Sequence, residues 1–369
     1  MPKTLPSIFI LTLVFWATAC VAQTPWKNYE HLFVPVKHYI AYQADEVIQI
    51  DGRADEGSWV KAEWSDDFAD IEGDRMPAPL YRTRLKMLWD RDNLYILAEL
   101  EEPNIWCYYN QRDLVVFHEN DFEIFIDPDG DGQNYFEYEV NALNNLFDLF
   151  LPKAYRSGGK ALISYNSLNF ESAVTIDGTL NNPVDTDKKW TVEMKIPFAD
   201  LVLWGDPFPP ADGDQWRINF SRVNWQTEVK GGRYIPKINP RTGKTHPEYN
   251  WVWSAPGIIS MHAPERYGLV QFSTGKAGGN PVVFERPRDQ LLRDCCWLVF
   301  YYQQAYQAQN KTYASSLKEL GLPDSLDRNG QSFQLKLEAS SKQFTVYASS
   351  AENQTYCVNN DGLIQAVQK

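Results

Sequence analysis

The chain reads as an all-β protein, an antiparallel β-sandwich or jelly roll followed by a small C-terminal α+β unit. Three observations predict this: a period of two in the apolar residues, frequent turn clusters, and hardly any helical spacing before residue 287. Trp190, Val192, Met194 and Ile196 alternate with Thr191, Glu193 and Lys195. Trp216, Ile218 and Phe220 alternate with Arg217, Asn219 and Ser221. The stretch 94–100 is apolar on both faces, as a central strand would be. Gly- and Asp-rich clusters at 127–132, 156–159 and 177–178 punctuate these runs.

In chain order, residues 1–22 read as a secretory signal, with Lys3 as the positive region, an apolar run over 8–16 and small residues after it. Cleavage after Ala22 is favoured. Lipid anchoring through Cys20 is the weaker alternative, because Ala17 stands where a lipoprotein box wants a large aliphatic residue. The expectation is therefore a secreted or periplasmic protein, and no other segment is long enough to span a bilayer. The sandwich is assigned to 38–274, a Gly-rich linker to 275–285, and the α+β unit to 286–369. That unit opens with helical spacing at Leu291, Leu292, Cys295, Leu298, Tyr302 and Tyr306, and two or three strands follow. It is a candidate docking module for a partner protein. In an oxidising compartment, Cys295 or Cys296 could pair with Cys357; buried thiols are the alternative.

Composition narrows the function. Lys plus Arg number 35 against 48 Asp plus Glu, a net charge of −13, which repels phosphates and argues against a nucleic-acid partner. Five histidines leave little for a His-based metal site. An aromatic share of 14% on an acidic chain suits a carbohydrate or another neutral polar ligand.

The most informative local pattern is an acidic hairpin. Phe122, Ile124 and Ile126, with Phe136, Tyr138 and Val140, form a core face. The opposite face carries Asp121, Glu123 and Phe125 beside Glu137, Glu139 and Asn141. A turn centred near Asp131 sets Glu123 opposite Glu139 and Asp121 opposite Asn141. Like charges so placed are destabilising, so solvent, arginines such as Arg112 and Arg222, a cation or a hydroxyl-rich ligand must offset them. Were the protein a glycosidase hydrolysing O-glycosyl bonds, Glu123 and Glu139 would be its two carboxylates. The turn itself, with Asp127, Asp129 and Asp131, resembles the first half of a calcium loop. Tyr138 occupies the position of that loop's last acidic ligand, so it is no EF-hand. No cofactor is required; a structural calcium ion at this turn is one option, an ordinary Asp/Gly turn the other.

Several segments, taken in order, resemble family 9 carbohydrate-binding modules: Ile50-Asp51-Gly52 through Trp59, Lys86–Asp90 with Asn93–Ile96, the 122–127 strand, 192–197, Asn219-Phe220-Ser221-Arg222, and Tyr267-Gly268-Leu269-Val270. The resemblance spans roughly 40–273. It implies a β-sandwich that grips sugar between two aromatic rings, holds structural calcium and accompanies glycan-degrading enzymes. The family's two ring positions fall on Phe117 and near Met261 or His262, its arginine on Glu139, and its glutamate on Glu123. The rings are thus altered, and other aromatics are expected to help: Trp106, Trp225 and Trp253. Asn120, Asn141, Arg222 and Asn250 join Glu123 and Glu139 as hydroxyl partners. Trp59, Trp89, Trp190 and Trp216 are assigned to core. The expected function is non-catalytic binding of an oligo- or polysaccharide, accessory to polysaccharide catabolism. A glycoside hydrolase or lyase and a surface assembly protein are the alternatives.

Overall fold

In the computed structural model, residues 25–202 and 209–367 are described. The leader assigned to 1–22, with Cys20, lies outside them. The first region carries β1 (His38–Gln43), a short helix α1 (Gly57–Lys61), β2 (Ala69–Asp70), β3 (Thr83–Trp89), β4 (Asn93–Glu101), β5 (Asp121–Asp127), β6 (Gln133–Asn141) and β7 (Leu146–Lys153). It continues through β8 (Glu171–Asp177), β9 (Lys189–Pro197), β10 (Gln215–Asn224), β11 (Thr227–Lys230), β12 (Arg233–Pro236), β13 (Tyr249–Val252) and β14 (Gly268–Lys276). The C-terminal region holds α2 (Gln290–Asn310) and the meander β15 (Ser325–Arg328), β16 (Gln331–Ala339), β17 (Phe344–Ser349), β18 (Thr355–Asn359) and β19 (Ile364–Ala366). No helix among the described residues is long and apolar enough to cross a membrane.

A curled sheet runs in the order β7-β6-β5-β10-β14-β1-β3-β4-β9-β8, with β13 and β2 branching from β10. Its two halves face each other across one core. Phe122, Ile124 and Ile126 of β5, Phe136, Tyr138 and Val140 of β6, and Ile218 and Phe220 of β10 meet Leu85, Met87, Leu94, Ile96, Val192, Met194 and Ile196 from the other half. The alternation read in the sequence thus marks the sandwich interior. The four tryptophans assigned to core, Trp59, Trp89, Trp190 and Trp216, are all buried. Antiparallel pairing has one exception: β1 runs parallel to both β14 and β3 and stitches the halves together, with a register shift between Tyr42 and Gln43. Such an irregularity bends a strand, which is what a sheet needs where it turns a corner.

A second core joins α2 to the meander, with Leu292, Cys296, Trp297, Leu298 and Phe300 against Phe333, Phe344, Val346 and Val358. Trp26, Leu32 and Phe33, from the start of the described chain, pack into the same core. Part of the surface expected to receive another protein is therefore covered by the chain's own residues. The stretch expected as a linker is extended and fastened to the sheet. Strand β14 runs on to Lys276, the Val282 N–H donates to the Tyr42 hydroxyl (3.0 Å), and the Glu285 N–H donates to Gln271 (2.8 Å). Cys107, Cys295, Cys296 and Cys357 are free, buried thiols, the second of the two cysteine readings.

Candidate functional site

The acidic hairpin folds in the predicted register: Glu123 pairs with Glu139 and Asp121 with Asn141. Continuing the ladders outward gives two rows on the face away from the sandwich core. Ser221, Glu123, Glu139 and Phe147 form one, and Asn219, Phe125, Glu137 and Leu149 the other. This face is not a solvated sheet surface. Loops cover it, and Phe125, Tyr135, Phe147, Leu149, Val252, Met261 and Tyr267 make an apolar cluster on it. Asp121, Glu123, Glu137 and Glu139 are each at most 5% exposed.

Between face and loops lies a cavity of about 570 Å³, within the usual range for small-molecule sites. Glu123, Glu137 and Glu139 form its acidic floor, and Phe125, Phe147 and Leu149 its apolar floor. Phe117, Tyr155, Ile163, Glu248, Asn250, Ser260, Met261 and His262 line the rest. Two aromatic rings remain accessible there, Phe117 at 37% and Tyr155 at 46% exposure. Tyr155 meets the His262 ring edge-on with centroids 4.3 Å apart, and His262 Nδ1 lies 3.0 Å from the Tyr135 hydroxyl.

Burial without counter-charge governs the electrostatics. Desolvation pushes the Glu123 carboxyl up to about 7. It drives Asp121, Glu137 and Glu139 well above the carboxylate range, and each then adds to its neighbours' repulsion. Burial, with help from the nearby Arg156 charge, lowers His262 to about 4, so the ring is neutral at neutral pH.

Of the residues chosen from sequence, Phe117, Glu123, Glu139, Asn250, Met261 and His262 share this cavity. The others do not line it, each for an identifiable reason. Arg222 sits opposite Phe122, one residue out of phase with Glu123, so it points into the sandwich interior. There it pairs with Glu102 (2.8 Å), donates to Thr83 and lies over the Trp251 ring. Arg112 makes a two-pronged bond to Asp148 (2.8 and 2.9 Å). Asn120 bridges Glu102 and the Trp225 N–H. Asn141 closes the turn after β6, accepting from Leu143 and Asn145 N–H groups and donating to the Tyr109 carbonyl. Trp106 and Trp253 are buried and offer no face to a ligand; Trp253 packs on Phe220. Trp225 is half-buried, and its indole N–H donates to the Phe117 carbonyl (2.9 Å), so it supports the accessible ring instead of presenting one.

The carboxylates proposed for calcium, Asp127, Asp129 and Asp131, bring oxygens within 4.8 Å of one another. They also hold the turn themselves. Asp127 accepts the Gly130 and Gly132 N–H groups (both 3.0 Å), Asp129 that of Asp131, and Asp131 that of Gln133. Arg293 donates to the Gly130 carbonyl, and Arg217 lies opposite Asp127 on the ladder. The turn is thus held by its own main-chain N–H groups, while burial and mutual repulsion drive Asp127 well above the carboxylate range and push Asp131 up to about 6.

Tyr155, Ile163, Glu248 and Ser260 were not chosen from sequence. Tyr155 stands in a turn whose only signal was its glycines, and loop walls carry no periodicity to read.

A family model described as "Carbohydrate family 9 binding domain-like" matches residues 50–271. No curated protein matches the chain. Similar solved structures include a carbohydrate-binding candidate from Bacteroides uniformis, 15% identical with a TM-score of 0.47, covering 64% of this chain and 100% of its own. Another is a family 9 carbohydrate-binding module from Caldicellulosiruptor kristjanssonii in complex with cellotriose, 18% identical with a TM-score of 0.39, covering 68% and 100%. The glucose complex of a module from that organism is 17% identical with a TM-score of 0.38, covering 66% and 100%.

Proposed function

The chain belongs to the carbohydrate family 9 binding domain-like family, and from that premise we propose that the cavity over the β5–β6 face binds carbohydrate without catalysis. One observation carries the reading: a 570 Å³ cavity that combines accessible rings, Phe117 and Tyr155, with hydroxyl-binding carboxylates beneath them. A sugar offers C–H groups to an aromatic face and hydroxyls to planar polar groups, and both are present. Asn250, Ser260 and Glu248 add further polar partners on the walls. Among the described residues, Trp225 contributes by holding Phe117 in place.

The signal read in residues 1–22 supports a secreted protein, and the family supports a role accessory to polysaccharide breakdown. Affinity electrophoresis and calorimetry against cello-oligosaccharides and a panel of plant polysaccharides test the binding. Phe117→Ala and Tyr155→Ala should each weaken binding about tenfold or more, since a stacked ring contributes roughly 1–3 kcal/mol. Retention by none of the sugars, or equal affinity in both variants, would sink the proposal. Release of new reducing ends on prolonged incubation would replace it with the hydrolase reading of Glu123 and Glu139.

A further inference from the structure

Two acidic groups lie on β5 and its turn, and their surroundings treat them differently. In the 127–132 turn, main-chain N–H groups donate to the carboxylates, and the charges of Arg217 and Arg293 favour ionised Asp127 and Asp131. On the outer face of β5 and β6 nothing comparable does. Asp121 is fully buried, and neither of its carboxylate oxygens has a hydrogen-bond partner. The Val223 N–H across the ladder favours its charge without closing a proper hydrogen bond, while Glu123, Glu137 and Glu119 oppose it. One oxygen of Glu137, Oε2, is likewise buried and unpartnered. Glu139 accepts the Phe117 N–H, at 3.2 Å, and its other tie is a side-chain hydrogen bond shared with Glu137, itself an acid. The arginines that could have served are committed elsewhere: Arg112 to Asp148, Arg156 to Glu265, and Arg222 to Glu102 on the opposite face. Among the described residues, none of the four acids forms an ion pair with Lys, Arg or His.

Carboxylate oxygens from Asp121, Glu123 and Glu139 all lie within 4.8 Å of one another. A hard cation of calcium size takes carboxylate oxygens at about 2.3–2.6 Å, so two ligands on opposite sides of it stand about 4.6–5.2 Å apart. The three side chains are therefore close enough together to share one ion. We propose that Asp121, Glu123 and Glu139 hold a divalent, oxygen-preferring cation of the calcium class at the base of the cavity. An orphaned buried carboxylate is costly, and a cation removes that cost for three groups at once. Rigid neighbouring strands set the ligand positions, as a specific site requires. Glu123 and Glu139 also line the cavity, so the ion would be available to ligand hydroxyls; that extension rests on the carbohydrate reading.

The test is calorimetric titration of the EGTA-stripped, full-length protein with CaCl2 and MnCl2 in the absence of sugar. Binding is expected to weaken at least tenfold in Asp121→Asn and to stay within twofold of wild type in Asp129→Asn, which alters only the turn. Calcium should raise the melting temperature of wild type and leave that of Asp121→Asn unmoved. In EGTA, Asp121→Asn should melt higher than wild type at alkaline pH, where the wild-type carboxyl is forced to ionise among Glu123, Glu137 and Glu119. If Asp121→Asn does not fold, Glu139→Gln carries the same expectations. Absence of binding by either ion, unchanged affinity in Asp121→Asn, or loss in Asp129→Asn alone overturns the assignment. Sugar binding that persists without any ion site overturns this inference only; ion binding without sugar binding overturns the carbohydrate reading only.

Discussion

Glu265 is the group whose removal should most clearly loosen the C-terminal unit from the sandwich. Its Oε1 accepts from Arg156 Nη1 (2.6 Å) and the Tyr301 hydroxyl (2.7 Å), and its Oε2 from Arg156 Nη2 (2.7 Å). The carboxylate is 1% exposed, and the three residues come from the turn before β14, the loop after β7, and α2. Glu265→Gln keeps the volume, removes the charge and turns an amide N–H₂ towards existing donors. Breaking a buried ion pair from one side typically costs 3–5 kcal/mol. Arg156 is 24% exposed and regains some hydration, so the lower end applies, about 3 kcal/mol. Trp297 lies 5.6 Å from the Arg156 guanidinium, so urea unfolding followed by tryptophan emission reads this junction. Tyr301→Phe alone should cost about 1 kcal/mol, one hydrogen bond. Combined with Glu265→Gln it should cost little more, because the hydroxyl's partner has already lost its charge. A Glu265→Gln loss below 1 kcal/mol, or full additivity of the pair, would refute the reasoning.

Other expectations concern the cavity wall and the core. His262 takes a proton near 6.5 when unfolded but only near 4 when folded. Below pH 6.5 the unfolded state therefore binds more protons, and stability falls as the pH drops towards 4, by at most about 3 kcal/mol. His262→Gln should flatten that slope between pH 6.5 and 4 in parallel denaturation series; identical slopes would count against a neutral, buried imidazole. Trp106→Phe should leave sugar affinity unchanged, since the ring is buried outside the cavity, and a measured loss would return Trp106 to the site. Gly268→Ala should destabilise by about 2 kcal/mol or more, because its methyl carbon would stand 2.2 Å from the Trp253 ring; wild-type melting would show that the ring moves freely. Trp59→Phe removes the indole N–H bonded to Glu193 (2.8 Å), a loss of about 2 kcal/mol readable in the same unfolding assay.

Residues in strands were legible because their side chains alternate. That period put Phe122 and Ile124 inside and Glu123 opposite Glu139 without any knowledge of distant contacts. Arg222 shows the limit of the same rule. It was grouped with Glu123 on proximity, whereas the β5–β10 register places it on the other face, and one residue of phase decides the matter. The tryptophans misled for a different reason. Trp106 stands in a polar, loop-like stretch, yet its ring is buried, and local composition does not report which loops fold inward. The burial of the acidic face was equally hidden, because much of its cover comes from a segment more than a hundred residues along the chain, at 247–262. Tyr155, the second accessible ring, had no pattern around it to mark it. The ordered set of family-like segments located the cavity better than any single residue did, through Phe117 and His262.

The co-packing of residues 26–33 with α2 and the meander bears on how the molecule is made. Trp26 donates its indole N–H to the Asp327 carbonyl, a partner 301 positions later. At roughly 5–20 residues per second of synthesis, Trp26, Leu32 and Phe33 wait on the order of 15–60 s for the surface that will cover them. The whole sandwich is emitted within that interval, as a loop between the two ends of the second core. During this window the early apolar residues are bait for a holdase or for another nascent chain. A truncation anywhere before Ile364, which belongs to the same core, would leave that cover incomplete for good.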